Sequence, residues 1–224
     1  MSWMIGVDVG GTFTDFFAFD GATDRIVLHK VPSTPGNPAL AVISGLRELA
    51  SRHGVDLSAI TRLSHGTTVA TNALIQRRGG KVALIVTEGF RDLIEIGRQI
   101  RPHVFSLQED YPAPLVAREM RFEAGERITA DGKPLRALEP AALPALVKAI
   151  GDAKPDACAV CLLFSFLNPI HEAMIRDALA SAYPEMYLSI SSEVQPEFRE
   201  YERLSTTVLN AYLQPVIDRP RRGT

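Results

Sequence analysis

The sequence is poor in cysteine and has almost no net charge, and both features limit what the protein can be. Lys and Arg total 24 against 26 Asp and Glu, which gives a formal net charge of −2. This near-balance argues against nucleic acid or an acidic membrane surface as a partner held by bulk electrostatics. With 46% hydrophobic and 22% charged residues, the composition is that of an ordinary globular chain and excludes a disordered, collagen-like or coiled-coil protein.

The chain also lacks long apolar runs and an obvious targeting segment. No apolar run approaches the roughly 20 residues needed to span a bilayer. Residues 1–11 show neither the basic flank nor the cleavage site of a signal peptide. We therefore expect a cytoplasmic protein without a membrane partner.

The only two cysteines, Cys158 and Cys161, form a C-x-x-C pattern, which can mean redox chemistry or half of a zinc site. The surrounding run ACAVCLLF is continuously apolar and predicts a buried strand, in which positions three apart point to opposite faces. No further cysteine exists to complete a Cys-rich zinc site. The pattern favours two core thiols.

The first fifty-odd residues predict three strands and a helix. Apolar residues alternate along Ile5–Val9, and a Gly10-Gly11 turn precedes a β-rich run from Phe13 to Phe19. After the Asp20-Gly21 turn we expect a third strand over Arg25–Val31. The period then changes to that of a helix, capped by Asn37, with Pro38 in its first turn and Gly54 at its end.

The rest of the chain alternates strand and helix, interrupted by an irregular excursion over 101–137 that contains several Pro and Gly residues. Antiparallel first strands followed by this alternation predict an α/β fold, with a mixed sheet and helices on both faces. The predicted strands are 62–65, 81–87, 158–166 and 187–191. The predicted helices are 67–78, 90–99, one around 143–150, one after Asn168-Pro169, and an amphipathic one over 201–216. At the start of the last helix, Glu200 and Arg203 could pair or lie at an interface.

A possible phosphate site lies where the first two strands meet. Binding phosphate requires closely approached backbone N–H groups, which glycine permits, together with hydroxyl donors and a carboxylate that holds Mg²⁺. These are supplied by Asp8, Gly10, Gly11, Thr12 and Thr14. The alternative is a structural hairpin that happens to carry these residues in its turn.

Two common phosphate-binding patterns are missing. Gly79-Gly80-Lys81 is followed by Val82, so the chain has no G-x-x-x-x-G-K-[ST] loop. The run GVDVGG also departs from the G-x-G-x-x-G of dinucleotide-binding folds.

A second polar block, His65-Gly66-Thr67-Thr68 with Asn72, lies between a predicted strand and a predicted helix. At such a turn, backbone N–H groups and the helix dipole can meet an anionic or carbonyl ligand. Alternatively, the two threonines only cap the helix and the histidine satisfies a nearby carbonyl.

The D-x-G-G-T-x-x-D pattern, which begins at Asp8 and ends at Asp15, resembles the first phosphate loop of the actin/hexokinase-type ATPases. Several blocks in order, from Ile5 to about Val216, are similar to the amino-terminal part of the hydantoinase A/5-oxoprolinase family, which includes N-methylhydantoinases, oxoprolinases and an acetone carboxylase subunit. The blocks are GVDVGGTFTD, HGTTVATNALIQRRGGKVALIVTEGFRDLIEIGRQIRP, CLLFSFLNP and SSEVQPEFREYERLSTTVLNAYLQPV.

The resemblance implies an RNase H-like lobe of a two-lobed ATPase. The lobe would cover 1–197, with 101–137 as an insertion, 198–217 as a helix leading to a second lobe and 218–224 as a tail. Family enzymes use ATP with Mg²⁺ or another divalent metal to phosphorylate the carbonyl of a cyclic amide before ring opening. The carboxylase branch activates a ketone instead.

The resemblance also assigns roles to individual residues. Asp8 would be a catalytic, metal-associated carboxylate, Asp15 and His65 would be further catalytic residues, and the remaining residues would bind ligands. The phosphate cradle would be Gly10, Gly11, Thr12 and Thr14, and the substrate side Gly66, Thr67, Thr68 and Asn72.

Family members are much longer than this chain, and their second phosphate loop follows the part that it matches. We therefore expect a missing carboxyl-terminal lobe or a partner subunit, an oligomeric enzyme, and a last helix whose apolar stripe has little to cover it. By itself the chain should bind ATP weakly and turn nothing over. Two alternatives stay open: a sugar-kinase lobe, although nothing between Ala59 and Gln99 resembles its catalytic loop, and a non-catalytic scaffold domain.

Overall fold

The computed structural model describes residues 2–34, 36–100, 105 and 112–218. These residues form two compact units that divide between Arg78 and Gly79. Part of the predicted excursion over 101–137 and nearly all of the predicted tail over 218–224 lie outside the described residues. The extent of the predicted lobe, 1–197, stays a prediction.

The first unit is built on a mixed sheet of four strands in the order β3-β2-β1-β4. The first three strands are antiparallel neighbours, and β4 runs parallel to β1. This confirms the predicted mixed sheet with three antiparallel first strands. The elements are β1 (Trp3–Val9), β2 (Phe13–Asp20), β3 (Arg25–Pro32), α1 (Pro38–His53), β4 (Ile60–Thr67) and α2 (Val69–Ile75).

Helix α1 covers one face of this sheet, and its ends are those that the sequence predicts. The Asn37 side chain accepts a hydrogen bond from the backbone N–H of Ala39, and Gly54 ends the helix at φ 67°. Gly45 lies against the Phe16 ring, where a Cβ atom would come within 2.2 Å of a ring carbon. The opposite face carries exposed side chains, among them Phe17 and Leu28, which are 47% and 71% exposed.

The second unit has a parallel sheet in the order β10-β9-β5-β6 and a separate two-stranded β7-β8 ribbon. Every residue of β5 and β9 is buried, as expected of strands covered on both faces. The strands are β5 (Val82–Thr87), β6 (Arg121–Ala124), β7 (Arg127–Ile128), β8 (Pro134–Arg136), β9 (Ala157–Cys161) and β10 (Tyr187–Ile190). The helices are α3 (Leu93–Ile96), α4 (Leu143–Ala153), α5 (Ile170–Ala182), α6 (Ser191–Val194) and α7 (Glu200–Ile217).

Several predicted boundaries are wrong, mostly because the helix or strand ends before the run of apolar residues that predicts it. The helix predicted over 90–99 is only α3, which ends at Ile96 with Gly97 as its C-cap. The strand predicted over 158–166 ends at Cys161, and Phe164 then adopts a positive φ of 55°. The helix predicted over 67–78 is the shorter α2, after which Arg77 has φ 52°.

Helix α7 packs on the second unit's own sheet. Its inner residues Leu204, Val208, Ala211 and Tyr212 are buried, and the helix contacts β9 and β10. The expectation that this apolar stripe has little to cover it is therefore wrong. The predicted Glu200–Arg203 pair is also replaced: the buried Arg203 guanidinium donates to the carbonyls of Leu162, at 2.7 Å, and Glu197, at 3.1 Å.

The two cysteines are free and buried in β9, which confirms the prediction of core thiols. Burial raises the pKa of Cys158 to about 12 and that of Cys161 to about 11. None of the helices in the described part of the chain is long and apolar enough to cross a bilayer.

Candidate functional site

The turn between β1 and β2 is tight, and it needs glycine at position 10. The N–H of Gly10 donates to the carbonyl of Phe13 at 3.0 Å. A Cβ atom at position 10 would lie 2.9 Å from that same oxygen, closer than real Cβ contacts allow. At Gly11 a Cβ atom would lie 3.4 Å from the side-chain amide nitrogen of Asn72.

The polar groups of this turn differ in whether they have a hydrogen-bond partner. Within the described residues, the N–H groups of Gly11 and Thr12 make no hydrogen bond, and neither does the Thr12 hydroxyl. The carbonyls of Gly10 and Thr12, in contrast, both accept from Ser33, at 2.8 and 2.9 Å. The N–H groups of Gly11 and Thr12 are therefore available to an anion, as an anion-binding turn requires.

Thr14 lies beneath the turn and not at its surface. Its side chain is fully buried, and its hydroxyl lies 3.0 Å from that of Ser33. Of the four residues expected to cradle phosphate, Gly11 and Thr12 offer free donors, Gly10 permits the tight turn, and Thr14 supports the turn from inside.

A row of charged residues crosses the sheet next to the turn. The strand register pairs Lys30 with Asp15, Asp15 with Asp8, and Asp8 with Gly66. Paired residues project from the same face, so the side chains share the exposed face, opposite α1. The Lys30 ammonium lies 3.0 Å from the Asp15 carboxylate, which leaves Asp8 as the carboxylate of this row without an ion pair among the described residues.

The predicted second block meets the first at the carboxyl ends of β1 and β4. The N–H and hydroxyl of Thr68 both donate to the carbonyl of Val9, at 3.3 and 3.4 Å. The Asn72 amide donates to the Thr68 hydroxyl at 3.2 Å. The Thr67 hydroxyl accepts from the N–H of Val69, the first residue of α2, at 3.2 Å. Thr68 is the N-cap of α2 and makes no side-chain capping bond, so the substrate-side role of these two threonines stays a prediction.

His65 stands apart from this cluster. The register pairs it with Val7, whose side chain is buried beneath α1. Its side chain therefore projects from the face opposite Asp8, and the structure does not bring the side chains of these two predicted catalytic residues together.

The charged row borders an open depression of about 660 Å³ on the exposed face. Its lining comes from all four strands of the first unit and includes Gly6, Asp8, Asp15, Phe17, Leu28, Lys30, Ser64 and Gly66. The neighbouring row of Val7, Phe16, His29 and His65 also borders it, although the strand register turns the side chains of that row to the other face. The glycines at 6 and 66 carry no side chains that would fill it. The depression combines an apolar floor with two carboxylates and one ammonium group.

The described residues contain no group of three or more His, Cys, Asp or Glu side chains that could hold a metal ion by themselves. Mg²⁺ does not need such a cage, because it binds through one or two carboxylates together with substrate phosphates and several waters. The exposed carboxylate of Asp8, next to a turn that presents N–H donors, fits that kind of site.

Sequence reasoning missed two residues of this site. Ser33 bonds to the turn from 23 positions away, and Lys30 pairs with Asp15 through the register of β2 and β3. The Asp20-Gly21 turn signal predicts the β2-β3 hairpin, so its register could have suggested Lys30. No local signal marks Ser33.

The comparisons with known proteins agree with this architecture. The caprolactamase alpha subunit of Pseudomonas jessenii is 38% identical over 223 residues, covering 97% of this chain and 32% of that protein. The crystal structure of the ATP-dependent caprolactamase from the same organism superimposes with a TM-score of 0.84 at 36% identity, over 97% of this chain and 32% of that one. A nucleotide-free acetone carboxylase structure, determined in work on ATP-dependent acetone carboxylation, gives a TM-score of 0.87 at 26% identity, over 98% of this chain and 32% of that one.

The chain thus spans about a third of the length of these relatives. Residues 4–183 match the profile of the hydantoinase/oxoprolinase N-terminal region. That match covers well over half of the chain, and it agrees with the resemblance found in the sequence. The chain belongs to the hydantoinase/oxoprolinase N-terminal family.

Proposed function

We propose that the Gly10–Thr12 turn binds the terminal phosphates of ATP. The observation that carries this proposal is the division of polar groups at the turn, where the N–H groups of Gly11 and Thr12 are free while the carbonyls of Gly10 and Thr12 are engaged from below. Donors fixed in this way stabilise an anion without reorganising. The ATP dependence of the caprolactamase and acetone carboxylase relatives supports the same ligand.

In this proposal Asp8 is the carboxylate that associates with Mg²⁺. It lies near the end of β1, it is exposed, and its neighbour Asp15 is already paired with Lys30 at 3.0 Å. The metal, when bound, would neutralise charge on the phosphates. Asp15 holds Lys30 on the same face and thereby keeps a positive charge beside the phosphate turn.

We place the substrate at the carboxyl end of β4, beside Gly66. A Cβ atom at position 66 would lie 3.8 Å from a carboxylate oxygen of Asp8, so glycine keeps the space next to that carboxylate open. Thr68 and Asn72 fix this end of the site to β1 and to the turn. Thr67 bonds to the N–H of Val69 at the start of α2, and the His65 side chain projects from the other face, so both are supporting residues in the proposal.

The chemistry that fits this arrangement is ATP-dependent activation of a carbonyl group. An amide is a poor electrophile, and transfer of a phosphoryl group to its oxygen creates a leaving group that water can then displace. A cyclic amide is the proposed substrate, in line with the caprolactamase relative. Activation of a ketone is the second candidate reaction. It is supported by the TM-score of 0.87 to the acetone carboxylase structure.

The chain would act as the amino-terminal part of a larger cytoplasmic, oligomeric enzyme. Because it spans about a third of its relatives, the adenosine pocket and the second phosphate loop are proposed to come from a carboxyl-terminal lobe or a partner subunit. Residues 1–197 would form the RNase H-like lobe of that enzyme.

The test is ADP release by the complete protein that contains this chain, with Mg-ATP and a panel of 5-oxoproline, hydantoin, caprolactam and small ketones with bicarbonate. We expect one class of compound to stimulate ADP release, and Asp8→Asn to abolish the stimulation. Stimulation by ketones alone would select the carboxylase candidate. Failure of every compound would contradict the proposed function and favour a scaffold role.

A further inference from the structure

Ser33, which follows β3, makes two hydrogen bonds to the proposed phosphate turn. None of the site residues predicted from the sequence outside the turn makes as many. Its hydroxyl donates to the carbonyl of Gly10 at 2.8 Å, and its backbone N–H donates to the carbonyl of Thr12 at 2.9 Å. Both carbonyls that flank the free N–H groups of the turn are thus bonded to one residue.

The direction of the hydroxyl bonds follows from the number of protons. A serine hydroxyl has one proton to donate and can accept from other groups. Because that proton goes to Gly10, the bond of 3.0 Å between the hydroxyls of Thr14 and Ser33 has Thr14 as its donor. The result is a relay from the buried Thr14 through Ser33 to the turn.

This relay matters for an anion because carbonyl oxygens repel phosphate oxygens. A tight turn carries N–H and C=O groups in nearly equal number, and it binds an anion only when the carbonyls point elsewhere. Nothing else in the described residues bonds to the Gly10 carbonyl. Without the Ser33 hydroxyl, that carbonyl would lose its partner and could turn toward the ligand.

We propose that Ser33 is a positioning residue of the phosphate site, which holds the carbonyls of Gly10 and Thr12 away from the ligand so that the Gly11 and Thr12 N–H groups face it. This inference rests on the proposed function, since it concerns the same turn. Ser33 itself lies below the turn and touches no ligand. Its effect passes entirely through the backbone of Gly10 and Thr12.

The test is a titration of the 224-residue chain with Mg-ATP, followed by the amide resonances of Gly11 and Thr12, which also reports weak binding. Four proteins are compared: the unchanged chain, Ser33→Ala, Ser33→Thr, and Ser51→Ala as a matched control. Ser51 lies exposed on α1, and within the described residues its hydroxyl bonds only to the Glu48 carbonyl, at 3.5 Å. The ¹³C resonance of the Gly10 carbonyl reports its hydrogen bond directly.

We expect Ser33→Ala to weaken Mg-ATP binding about tenfold and to shift the Gly10 carbonyl resonance before ligand is added. The free energy lost with one hydrogen bond and one unpaired carbonyl is large enough to weaken binding by about this factor. Ser33→Thr, which keeps the hydroxyl, restores both readouts, and Ser51→Ala changes neither.

Two failures are distinguishable. If the unchanged chain gives no response at Gly11 and Thr12, the proposed phosphate site itself is wrong. If the unchanged chain responds but Ser33→Ala binds Mg-ATP with the same affinity, the phosphate site stands and the role of Ser33 is overturned. A lower melting temperature of Ser33→Ala with unchanged affinity also overturns that role, because a merely structural residue would behave in this way.

Discussion

Asp8 and Asp15 face each other across the β1-β2 pair, on the exposed face of the first unit's sheet. Like charges directly opposite one another destabilise a sheet, and Lys30 offsets only one of the two through its 3.0 Å pair with Asp15. A sequence selected for stability alone would not keep the second carboxylate. The proposed role of Asp8 in associating with Mg²⁺ would account for this arrangement, because a bound cation offsets the second carboxylate.

Asp8→Asn should therefore separate binding from stability. Removing the charge relieves the cross-strand repulsion, and we expect the free energy of unfolding to rise by about 0.2–1 kcal/mol. Mg²⁺-dependent nucleotide binding should fall at the same time. Chemical denaturation and Mg-ATP titration of the same variant measure the two effects, and Asp24→Asn, which removes a charge from the β2-β3 turn, is the control. A variant that loses stability and keeps binding would contradict the assigned role.

Gly10→Ala should disrupt the turn through sterics alone. The added Cβ atom would lie 2.9 Å from the carbonyl of Phe13, so the backbone must move, at a cost of about 1–3 kcal/mol. We expect lower stability and loss of phosphate binding. Gly36→Ala is the matched control, because a Cβ atom there meets nothing within 4 Å. Equal behaviour of the two variants would mean that the turn is not held as described.

The Asp20 carboxylate should contribute to the acid sensitivity of the first unit. Hydrogen bonds from the N–H of Ala22, the N–H of Ser2 and the hydroxyl of Thr23 hold the pKa of Asp20 below its usual value. A carboxyl whose pKa is lowered by folding stabilises the protein above its unfolded pKa of about 4, and that contribution disappears as the pH falls through the lowered value.

Asp20→Asn should accordingly lower the melting temperature at neutral pH, and the difference from the unchanged chain should shrink below about pH 4. Melting curves between about pH 7 and pH 2 measure it, with Asp24→Asn as the control from the same turn. A difference that stays constant over this range would show that the charge of Asp20 is not the cause.

The two thiols should be inert in the folded protein. Burial raises the pKa values of Cys158 and Cys161 to about 12 and about 11, and the thiolate is the reactive form. We expect no labelling by iodoacetamide at about pH 8 in the native state and labelling of both residues in denaturant. Rapid labelling of the native protein would contradict the assignment of both cysteines to the core.

Some features of this chain follow from local sequence, and others do not. Asn37 and Gly54 mark the ends of α1 because capping depends on a few adjacent residues. The first hairpin is likewise set by its Gly10-Gly11 turn. Strand β6 is different, because its four residues lie in a segment with many breakers and gain their conformation from pairing with β5.

The same distinction applies to the site. Asp8, Gly10, Gly11 and Thr12 belong to one short pattern, so they can be predicted together. The burial of Thr14 and the bond from Ser33 depend on the register of two hairpins and on a chain separation of 23 residues. His65 shows the reverse case: it belongs to a recognisable block, yet the alternation of β4 turns its side chain away from Asp8.

The amide spectrum of the unchanged chain tests most directly whether the β1-β2 turn binds phosphate through two backbone donors. On addition of Mg-ATP, we expect saturable shifts of the Gly11 and Thr12 resonances. Inorganic triphosphate with Mg²⁺ should reproduce these shifts, and adenosine alone should give much weaker ones. Resonances of these two residues that stay fixed while others in the chain move would contradict it.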